Sequence, residues 1–574
     1  MRVLNSEETL EAEQQALARA AMSPLVLIQR AGHAVAQFCV AHFKFRTVCV
    51  FCGTGKNGAR GLAAAEALRQ VAENISVILL AASAQALEPD AATFRSQLNV
   101  QPIWIGEEGD LQSPRVQEAL QADLIIDAIA DSKPPLSQME RKAVECINDA
   151  FGTVVAVDVP SGIDADSMLP LHRAEHDAIF AHGIITFVAP RPAHVFGELT
   201  SGPIAVSEIG VQPAFVSNQT ELQAITGQEV GIAFPPRLAD AHKGNFGHVL
   251  VIAGSGGKAG AAALAGMAAL RTGAGLVTVA CPASIQDTVA GFAPEMMTEA
   301  LPETEARSIS ARAIEVAEKL MAEKSAVVLG PGLSQHAETA EFIRALVSRC
   351  SLPLVLDADG INAFAGRAGE LKTARAKNFR VLTPHPGEAA RLLGCSSRDI
   401  QADRIKMAQH IAGETGSCVV LKGARTVVAG ASGETWINMS GNAALAKGGS
   451  GDVLSGMIGA ALARKREKEA SPPPSAPDLE PPRTWMHELY GADSMQRQRK
   501  FLAEQLERNT MKGSAFLKDV SVSAAVHLHG LCGDMARDEL HENTVIARDV
   551  MDNLARCFHE CELEMERGLF YLQK

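Results

Sequence analysis

The chain has 574 residues, of which 47% are hydrophobic, 21% charged and 4% aromatic, and this length predicts two large globular domains. Its formal net charge of −13 comes from 53 basic and 66 acidic residues and argues against a nucleic-acid surface and an anionic-membrane surface. The N-terminus has no apolar signal region and no apolar run reaches membrane-spanning length, so we expect a soluble cytoplasmic protein.

The first part of the chain predicts a βαβ unit after a helical entry at residues 6–44. An apolar strand at 47–52 precedes the glycine-rich stretch 53–61, and a helix at 63–71 and a strand at 75–80 follow. In such a unit the loop after the first strand binds the ligand. The glycines match GxGxxG, a pattern of dinucleotide-binding folds, although the second strand does not end in the acid that binds a ribose in those folds.

Two further strands in this half carry acids at or just past their carboxyl ends. These acids are Asp127 and Asp158, and a Pro-Ser161-Gly turn follows the second strand. Because the carboxyl ends of parallel strands share one edge of a sheet, Asn57, Asp127 and Ser161 are predicted to converge. Their oxygen atoms suit a hard cation such as K⁺ or Mg²⁺. The alternative is that each residue only caps a strand or a turn.

Residues 210–240 are rich in polar residues and proline and mark the predicted boundary between two α/β domains, 1–225 and 226–574. In the second domain a glycine loop at 254–260 follows a buried-type strand and precedes an alanine-rich helix. Such a loop places backbone amides at a helix start, where an anion is favoured.

Four more strands follow in α/β alternation, and each ends in a loop with glycine or polar residues. These loops contain Gly332, Asp357, Asp359, His385, Lys422 and Gly423. All four would reach the same edge of a parallel sheet. Backbone donors, a lysine and acids at one edge predict phosphoryl transfer without a Walker phosphate loop. Taken alone, the histidine between two prolines is more often a packing or capping residue, but within this set of loops a role in the site is the favoured interpretation.

The glycine cluster before Asp452 is the most informative stretch of the chain. Glycines allow several backbone amides to face one point, and the helix that starts there adds the positive end of its dipole. Asp452 lies at the rim of this anion site, where it can take a proton from a hydroxyl that attacks phosphorus. The alternative is a glycine turn with Asp452 as an ordinary helix cap.

Residues 1–220 resemble the NAD(P)H-hydrate epimerase domain, the YjeF N-terminal family, in the layout above and in the segments 27–32 and 157–166. The resemblance implies a Rossmann-like three-layer α/β/α fold in which Asp158 is a catalytic or substrate-facing residue. The K⁺ ligands that it implies are Asn57, Asp127 and Ser161. The hydrate-binding loop that it implies consists of Lys56, Asn57, Gly58, Ala59 and Arg60.

Two departures from that family affect the predicted epimerase site. Arg60 stands where the family's Asn-Asn-Gly-Gly-Asp-Gly loop has its acid, and Asp131-Ser132-Lys133 replaces a glycine-rich turn. A reversed charge in a buried site changes the electrostatics and the neighbouring pKa values. The domain is therefore predicted to be either an epimerase or a vestigial one kept as a scaffold.

Residues 235–462 and 520–556 resemble the ribokinase-like NAD(P)H-hydrate dehydratase family, the YjeF C-terminal domain. The shared motifs include Gly-Pro-Gly, Thr-Pro-His-Pro-Gly-Glu, Gly-Gly-Ser-Gly-Asp and His-Leu-His-Gly. The resemblance implies that Asp452 is the base and that the amides of Gly449, Ser450 and Gly451 bind the transferring phosphoryl group. The implied nucleotide-binding residues are Lys422, Gly423, Ala424, Arg425, Thr426 and Gly451. The implied hydrate-binding residues of this domain are Ala261, Gly332, His385 and Asp452.

The combined resemblance implies ADP-dependent dehydration of (6S)-NAD(P)H hydrate with Mg²⁺, with release of AMP and phosphate. The expected ligands are the NAD(P)H hydrates and ADP, and we expect a homo-oligomer. The alternative function is a ribokinase-fold kinase for a small alcohol, with a non-catalytic dinucleotide-binding or assembly module at its N-terminus. Residues 463–519 are proline-rich and charged and predict a flexible insertion.

Overall fold

The structure is a computed structural model that describes residues 1–20, 23–131, 135–168, 178–211, 222–237, 240–373, 378–464 and 513–574. Ser132, Lys133 and most of the predicted insertion lie outside the described residues. The chain forms two compact units: unit 1 consists of Met1–Ala224 with Arg567–Lys574, and unit 2 of Ile225–Glu566. Among the described helices, none is long and apolar enough to cross a membrane.

A mostly parallel sheet forms the centre of unit 1. Its strands are β1 (Thr47–Cys52), β2 (Asn74–Leu79), β3 (Ile103–Trp104), β4 (Leu124–Ala128), β5 (Thr153–Val157), β6 (Gly183–Phe187), β7 (Ile204–Ser207) and β18 (Leu569–Gln573). The order is β18-β7-β6-β5-β4-β1-β2-β3, and β18 alone runs antiparallel to its neighbour. The predicted α/β class is confirmed for this unit.

The helices of unit 1 are α1 (Ser6–Ala20), α2 (Pro24–His42), α3 (Lys56–Leu68), α4 (Pro89–Gln97), α5 (Pro114–Ala119), α6 (Gln138–Asn148) and α7 (Pro192–Phe196), with 3₁₀ turns at Ala84–Ala86 and Glu108–Gln112. Small residues let α2 and α3 pack closely, since a Cβ on Gly32 would lie 2.5 Å from Cβ of Ala63. The helical entry predicted at 6–44 consists of the two helices α1 and α2.

Helix α3 begins at Lys56, seven residues earlier than the sequence predicted, so most of the expected glycine loop is the first two turns of a helix. Gly55 adopts an extended conformation before the helix, and Oδ1 of Asp131 accepts a hydrogen bond of 2.8 Å from the amide of Asn57. A Cβ on Gly58 would lie 2.0 Å from the carbonyl oxygen of Gly53. A glycine at position 58 therefore allows the helix to start directly against the end of β1.

Strand β18 was not predicted, and it corrects the assignment of residues 567–574 to the second domain. Its residues pair with β7, with Leu569 opposite Ser207 and Tyr571 opposite Ala205. Leu569, Phe570, Tyr571 and Leu572 are all buried. The apolar segment thus covers the edge of the unit 1 sheet that β7 would otherwise present.

Unit 2 also contains a sheet that is parallel over most of its width. A short strand, β8 (Leu222–Ala224), ends the segment Met1–Ala224 of unit 1 and precedes unit 2. The strands of unit 2 are β9 (His248–Ile252), β10 (Leu276–Pro282), β11 (Met297–Leu301), β12 (Ala326–Leu329), β13 (Leu354–Leu356), β14 (Arg380–Leu382), β15 (Cys418–Leu421), β16 (Thr426–Ala429) and β17 (Thr435–Asn438). They run in the order β11-β10-β9-β12-β13-β14-β15-β16-β17. The pairs from β11 to β15 are parallel, and β15, β16 and β17 are antiparallel.

The helices of unit 2 are α8 (Gly227–Ala233), α9 (Ala259–Arg271), α10 (Gln286–Ala290), α11 (Ile314–Met321), α12 (Ala337–Arg349), α13 (Asp359–Asn362), α14 (Ala368–Thr373), α15 (Pro386–Leu393), α16 (Ser397–Ala402), α17 (Arg404–Thr415), α18 (Ser450–Ala463), α19 (Ser514–Glu539), α20 (Ala547–Asp552) and α21 (Leu554–Arg567). Helices α9 and α18 approach closely, since a Cβ on Gly456 would lie 2.1 Å from the carbonyl oxygen of Ala265. The small residues of both helices therefore bring their N-termini to the same edge of the sheet.

Candidate active site

The loops at the carboxyl edge of the unit 2 sheet line an open cavity of about 570 Å³. It is lined by Gly257, Lys258, Gly260, Ala261, Leu264, Gly332, Ala358, Asp359, Gly448, Gly449 and Asp452. Three of the four predicted hydrate-binding residues of this domain, Ala261, Gly332 and Asp452, belong to this lining. The fourth, His385, does not, and its ring instead caps α15 by accepting a hydrogen bond of 3.0 Å from the amide of Gly387.

The turn before α18 has the geometry of an anion site. Gly449 has φ of 94°, and a Cβ there would lie 2.7 Å from Cδ1 of Leu264, so glycine is required on both counts. The amide of Ser450 donates to the carbonyl oxygen of Lys447 at 3.3 Å. Gly451 and Asp452 follow in the first helical turn, where amides have no acceptor within the helix. Two of the amides at this helix start are thus placed to bind an anion.

Asp452 is the acid at the rim of this anion site. Burial and the neighbouring Asp357 carboxylate raise the pKa of Asp452 to about 7, although Lys422 opposes the shift. A carboxyl group with a pKa near neutral pH can both accept and release a proton under physiological conditions. The environment of Asp452 is therefore suited to a general base and not only to a helix cap.

Lys422 lies close to the same helix start. Its Nζ is 2.9 Å from Oδ1 of Asp357 and 3.8 Å from Oε2 of Glu388. The Nζ is also 3.4 Å from the position that a Cβ on Gly451 would occupy. The two carboxylates hold the ammonium group beside the amides of α18, where it adds positive charge to the anion site.

Asp357 is the centre of a network that the sequence analysis did not anticipate. Its Oδ1 accepts from Oγ1 of Thr383 at 2.8 Å, and its Oδ2 accepts from Oγ of Ser455 at 2.7 Å. With Lys422, these donors come from the ends of β14 and β15 and from α18. Asp357 stands at a strand end, which was the available signal, but its partners are distant in sequence.

Helix α19 contacts the turn that precedes Asp452. Nε2 of His529 lies 3.0 Å from the carbonyl oxygen of Ser450 and 3.2 Å from its hydroxyl. Burial lowers the pKa of His529 to about 4, so the ring is neutral at pH 7 and can donate one hydrogen bond from Nε2. Asp534 of the same helix accepts from the amide of Gly441 at 2.8 Å. These contacts fix the segment that leads to Asp452.

Of the predicted nucleotide-binding residues, 422–426 lie between β15 and the start of β16, and Gly451 lies in α18. The hydroxyl of Thr426 donates to the carbonyl oxygen of Gly423 at 2.9 Å, and Arg425 has φ of 55°. This turn directly follows Lys422 at the carboxyl end of β15. The nucleotide-binding role of Gly423, Ala424, Arg425 and Thr426 stays a prediction, since the turn shows position but no ligand contact.

In unit 1, the three predicted K⁺ ligands lie close to the loop that follows β4. Ser161 donates from its hydroxyl to Oδ1 of Asp127 at 2.6 Å and from its amide to Oδ2 at 2.8 Å. Ser161 Oγ also accepts from the amide of Ala130 at 3.1 Å, and Asn57 Nδ2 donates to the carbonyl oxygen of Ala130 at 3.1 Å. Asp127 is thus hydrogen-bonded to Ser161, and both Ser161 and Asn57 are hydrogen-bonded to Ala130.

This cluster has features that fit a cation. Burial raises the pKa of Asp127 to about 6, although the hydrogen bonds from Ser161 and Ile129 oppose the shift, and none of these donors is a charged side chain. Oδ1 of Asn57 is buried and makes no hydrogen bond in the described structure. An unbonded buried oxygen next to a buried carboxylate is an arrangement that a bound cation would satisfy.

Asp158 is the centre of a buried ionic network in unit 1. Its Oδ2 lies 3.0 Å from Nη1 of Arg60 and 3.4 Å from Nη2 of Arg191, and its Oδ1 accepts from Oγ1 of Thr186 at 2.7 Å. Burial disfavours the ionised form, but Arg191 and Arg60 outweigh it and hold the pKa of Asp158 well below its usual range. Asp158 also has φ of 67°, in the left-handed region that few residues other than glycine adopt. This carboxylate is a weak base because it is already paired with two cations.

Arg60 and its neighbours do not form an open loop. Arg60 is 4% exposed, contacts Oε1 of Glu13 at 3.4 Å and lies over the ring of Phe187 at 4.7 Å. Lys56 pairs with the same glutamate. The predicted hydrate-binding residues of unit 1 are therefore packed within α3, and Glu13 and Arg191 are network members that sequence reasoning missed.

Two family models match this chain. The model described as YjeF-related protein N-terminus matches residues 24–193, and the model described as NAD(P)H-hydrate dehydratase matches residues 249–509. The matched segments fall in unit 1 and unit 2 respectively. The two mostly parallel sheets agree with the α/β class that the sequence predicts for both domains.

Several characterised proteins are similar over most of the chain. The bifunctional NAD(P)H-hydrate repair enzyme of Moorella thermoacetica is 33% identical over 94% of this chain and 94% of its own length. The corresponding enzyme of Escherichia coli is 33% identical over 76% of this chain and 81% of its own. A crystal structure of the ADP/ATP-dependent NAD(P)H-hydrate dehydratase of Bacillus subtilis, obtained with ATP and Mg²⁺, is 27% identical over 58% of this chain and 97% of its own, with a TM-score of 0.43.

Together, the two domains and the matched family models define a two-domain α/β enzyme. The 33% identity to a repair enzyme over 94% of the chain shows the family to which the chain belongs. It belongs to the family of bifunctional NAD(P)H-hydrate repair enzymes.

Proposed function

We propose that the chain repairs hydrated NADH and NADPH, and that unit 2 dehydrates the (6S) hydrate with ADP as the phosphoryl donor. The observation that supports this most directly is the position of Asp452, which combines a pKa near 7 with the helix-start amides and Lys422. The similarity to enzymes named for this repair supports the choice of substrate. A simple small-alcohol kinase is the less favoured alternative.

In the proposed reaction, the C6 hydroxyl of the hydrated ring gives its proton to Asp452 while its oxygen attacks the terminal phosphorus of ADP. The bond from that phosphorus to the bridging oxygen breaks, and AMP is released. The carbon–oxygen bond at C6 then breaks with phosphate as the leaving group, and a proton leaves the adjacent ring carbon. The amides of Gly451 and Asp452, with Lys422, would stabilise the charge on the phosphoryl group in both steps.

Mg²⁺ belongs to this proposal because it neutralises phosphate charge during phosphoryl transfer. Among the described residues, no group of three or more histidine, cysteine, aspartate or glutamate side chains forms a metal cage. Mg²⁺ commonly binds through one or two carboxylates and the phosphates of its substrate. Asp357 and Asp359, at the carboxyl end of β13, would hold Mg²⁺ together with the phosphates of bound ADP.

For unit 1 we propose a K⁺ site formed by Asn57, Asp127 and Ser161, supported by the unbonded Oδ1 of Asn57. The relatives are named bifunctional, which supports an epimerase activity for the R and S hydrates in this unit. The pairing of Asp158 with Arg60 and Arg191 favours the opposite, a vestigial site. The cytoplasmic location, the homo-oligomeric state and the preference for ADP are likewise proposals.

The decisive experiment separates the two activities. The purified protein is given the separated R and S hydrates of NADH with ADP and Mg²⁺, and the return of NADH absorbance is followed. We expect the S hydrate to be consumed rapidly with release of phosphate. If R lags at its uncatalysed epimerisation rate, unit 1 is vestigial, whereas rapid repair of both hydrates shows a bifunctional enzyme. A stable phosphorylated product would support the kinase instead.

The pH dependence of dehydration should report the ionisation of Asp452. Because the base form of a carboxyl group exists above its pKa, kcat/KM is expected to rise with pH and to level off above about 7. Lys422 lowers the pKa of Asp452, so Lys422→Met should move this limb to higher pH in addition to weakening activity. A profile that is flat between pH 5 and 8 would contradict the role of Asp452 as the base.

A further inference from the structure

The charges on the lining of the unit 2 cavity are unevenly distributed. Two acids, Asp359 and Asp452, belong to the described lining, and Lys258 is the one cation in it. Both proposed substrates are polyanions, so a cation in this position has an electrostatic effect on binding. Lys258 takes no part in the proposed chemistry and is therefore available to bind a phosphate group of a substrate.

Lys258 ends the glycine loop and stands immediately before α9. Its Nζ is 3.5 Å from Oδ2 of Asp359, and its side chain is 54% exposed. The same carboxylate oxygen accepts a shorter hydrogen bond, 2.8 Å, from the amide of Ser334. Exposed ion pairs contribute little free energy, so the ammonium group can leave Asp359 for a ligand at small cost.

The backbone on both sides of Lys258 faces open space. A Cβ added to Gly257 or Gly260 would meet no atom within 4 Å. Helix α9 has 13 residues and directs its N-terminal amides toward the same region. One side of the cavity thus has a weakly paired lysine, exposed backbone and the N-terminus of a helix.

We propose that Lys258 binds the diphosphate of the hydrated dinucleotide and is a specificity-determining residue for that substrate. The proposal rests on the proposed function of unit 2. The nucleotide has its own cation, because Lys422 is held by Asp357 and Glu388 next to Gly451. Lys258 lies on another part of the cavity lining, beside Gly332, and a Cβ on Gly332 would lie 3.2 Å from Cβ of Lys258 and 3.0 Å from Cβ of Ala261.

The test compares the steady-state kinetics of the wild type and Lys258→Met in the presence of ADP and Mg²⁺. The KM for (6S)-NADH hydrate is expected to rise about tenfold, because a charge-assisted contact to phosphate is lost. The KM for ADP should change much less, and Lys258→Arg should recover most of the affinity for the hydrate. A rise in the KM for ADP without a rise for the hydrate would overturn the assignment to the dinucleotide.

Lys406→Met is the matched control, because Lys406 is also an exposed lysine in an ion pair, 3.0 Å from Asp403, and lies outside the cavity lining. It should leave the KM for the hydrate unchanged. The hydrate of reduced nicotinamide riboside, which has no phosphate, should show no difference in KM between the wild type and Lys258→Met. Unchanged KM values in an active Lys258→Met enzyme refute this proposal alone, whereas an inactive wild type refutes the proposed function.

Discussion

Asp452→Asn is expected to lower kcat for dehydration of the (6S) hydrate by about 10³-fold, within the range that general base catalysis contributes. Asparagine keeps the size of the side chain and can still accept hydrogen bonds, but it cannot take the proton of the attacking hydroxyl. Because Asp452 is a buried acid whose pKa burial and Asp357 raise to about 7, removing its charge should not destabilise the helix. Binding of ADP, measured by calorimetry, should be retained or improved.

Asp399→Asn provides the matched control for this variant. Asp399 is the third residue of α16, as Asp452 is of α18, but its carboxylate caps the helix by accepting from Ser396. Its replacement should leave kcat unchanged while costing a little stability. If Asp452→Asn retains more than about a tenth of the wild-type kcat, a rate that loss of a general base does not permit, another group must remove the proton.

Arg60→Met is expected to destabilise unit 1 by about 3 kcal/mol, the loss typical of removing one partner of a buried ion pair. The variant leaves Asp158 with Arg191 as its remaining close cation and removes one of the two basic partners of Glu13. Both carboxylates are nearly inaccessible to water, so neither is solvated in exchange. Hydrogen–deuterium exchange of the amides in β1 and β4 would measure this loss in unit 1 separately from unit 2.

An ion pair at the end of α3 serves as the reference. Arg69 lies just after α3 and contacts Oε1 of Glu66 at 3.1 Å, with 50% of its side chain exposed. Arg69→Met should therefore change stability by less than about 1 kcal/mol. Equal effects of the two substitutions would mean that the Arg60 network does not hold unit 1 together.

Much of the local geometry of the candidate site in unit 2 could be predicted because its signals are local. Gly449 and Asp452 are close in sequence, and the requirement for a positive φ followed by a helix start can be read from that short stretch. The strand-end acid Asp127 and the turn serine Ser161 were also placed correctly at one edge of a parallel sheet.

The partners of these residues could not be predicted, because they come together only in the folded sheet. Lys422 and Asp357 are 65 residues apart in sequence, and Arg60 and Asp158 are 98 apart. No local pattern says which strand lies beside which, so the neutralisation of Asp158 by Arg60 and Arg191 was not foreseen. The early start of α3 was missed for a related reason, since the amide of Asn57 in its first turn donates its hydrogen bond to Asp131, which lies in another loop.

Strand β18 has a consequence for the order in which the protein can be assembled during synthesis. Residues 569–573 complete the sheet of unit 1, yet the ribosome makes them only after all of unit 2. Until then β7 is an unpaired edge, the kind of surface that promotes association between nascent chains. The first unit to emerge is therefore completed after the second has been translated, and a gene fragment that encodes only residues 1–224 would yield an unfinished sheet.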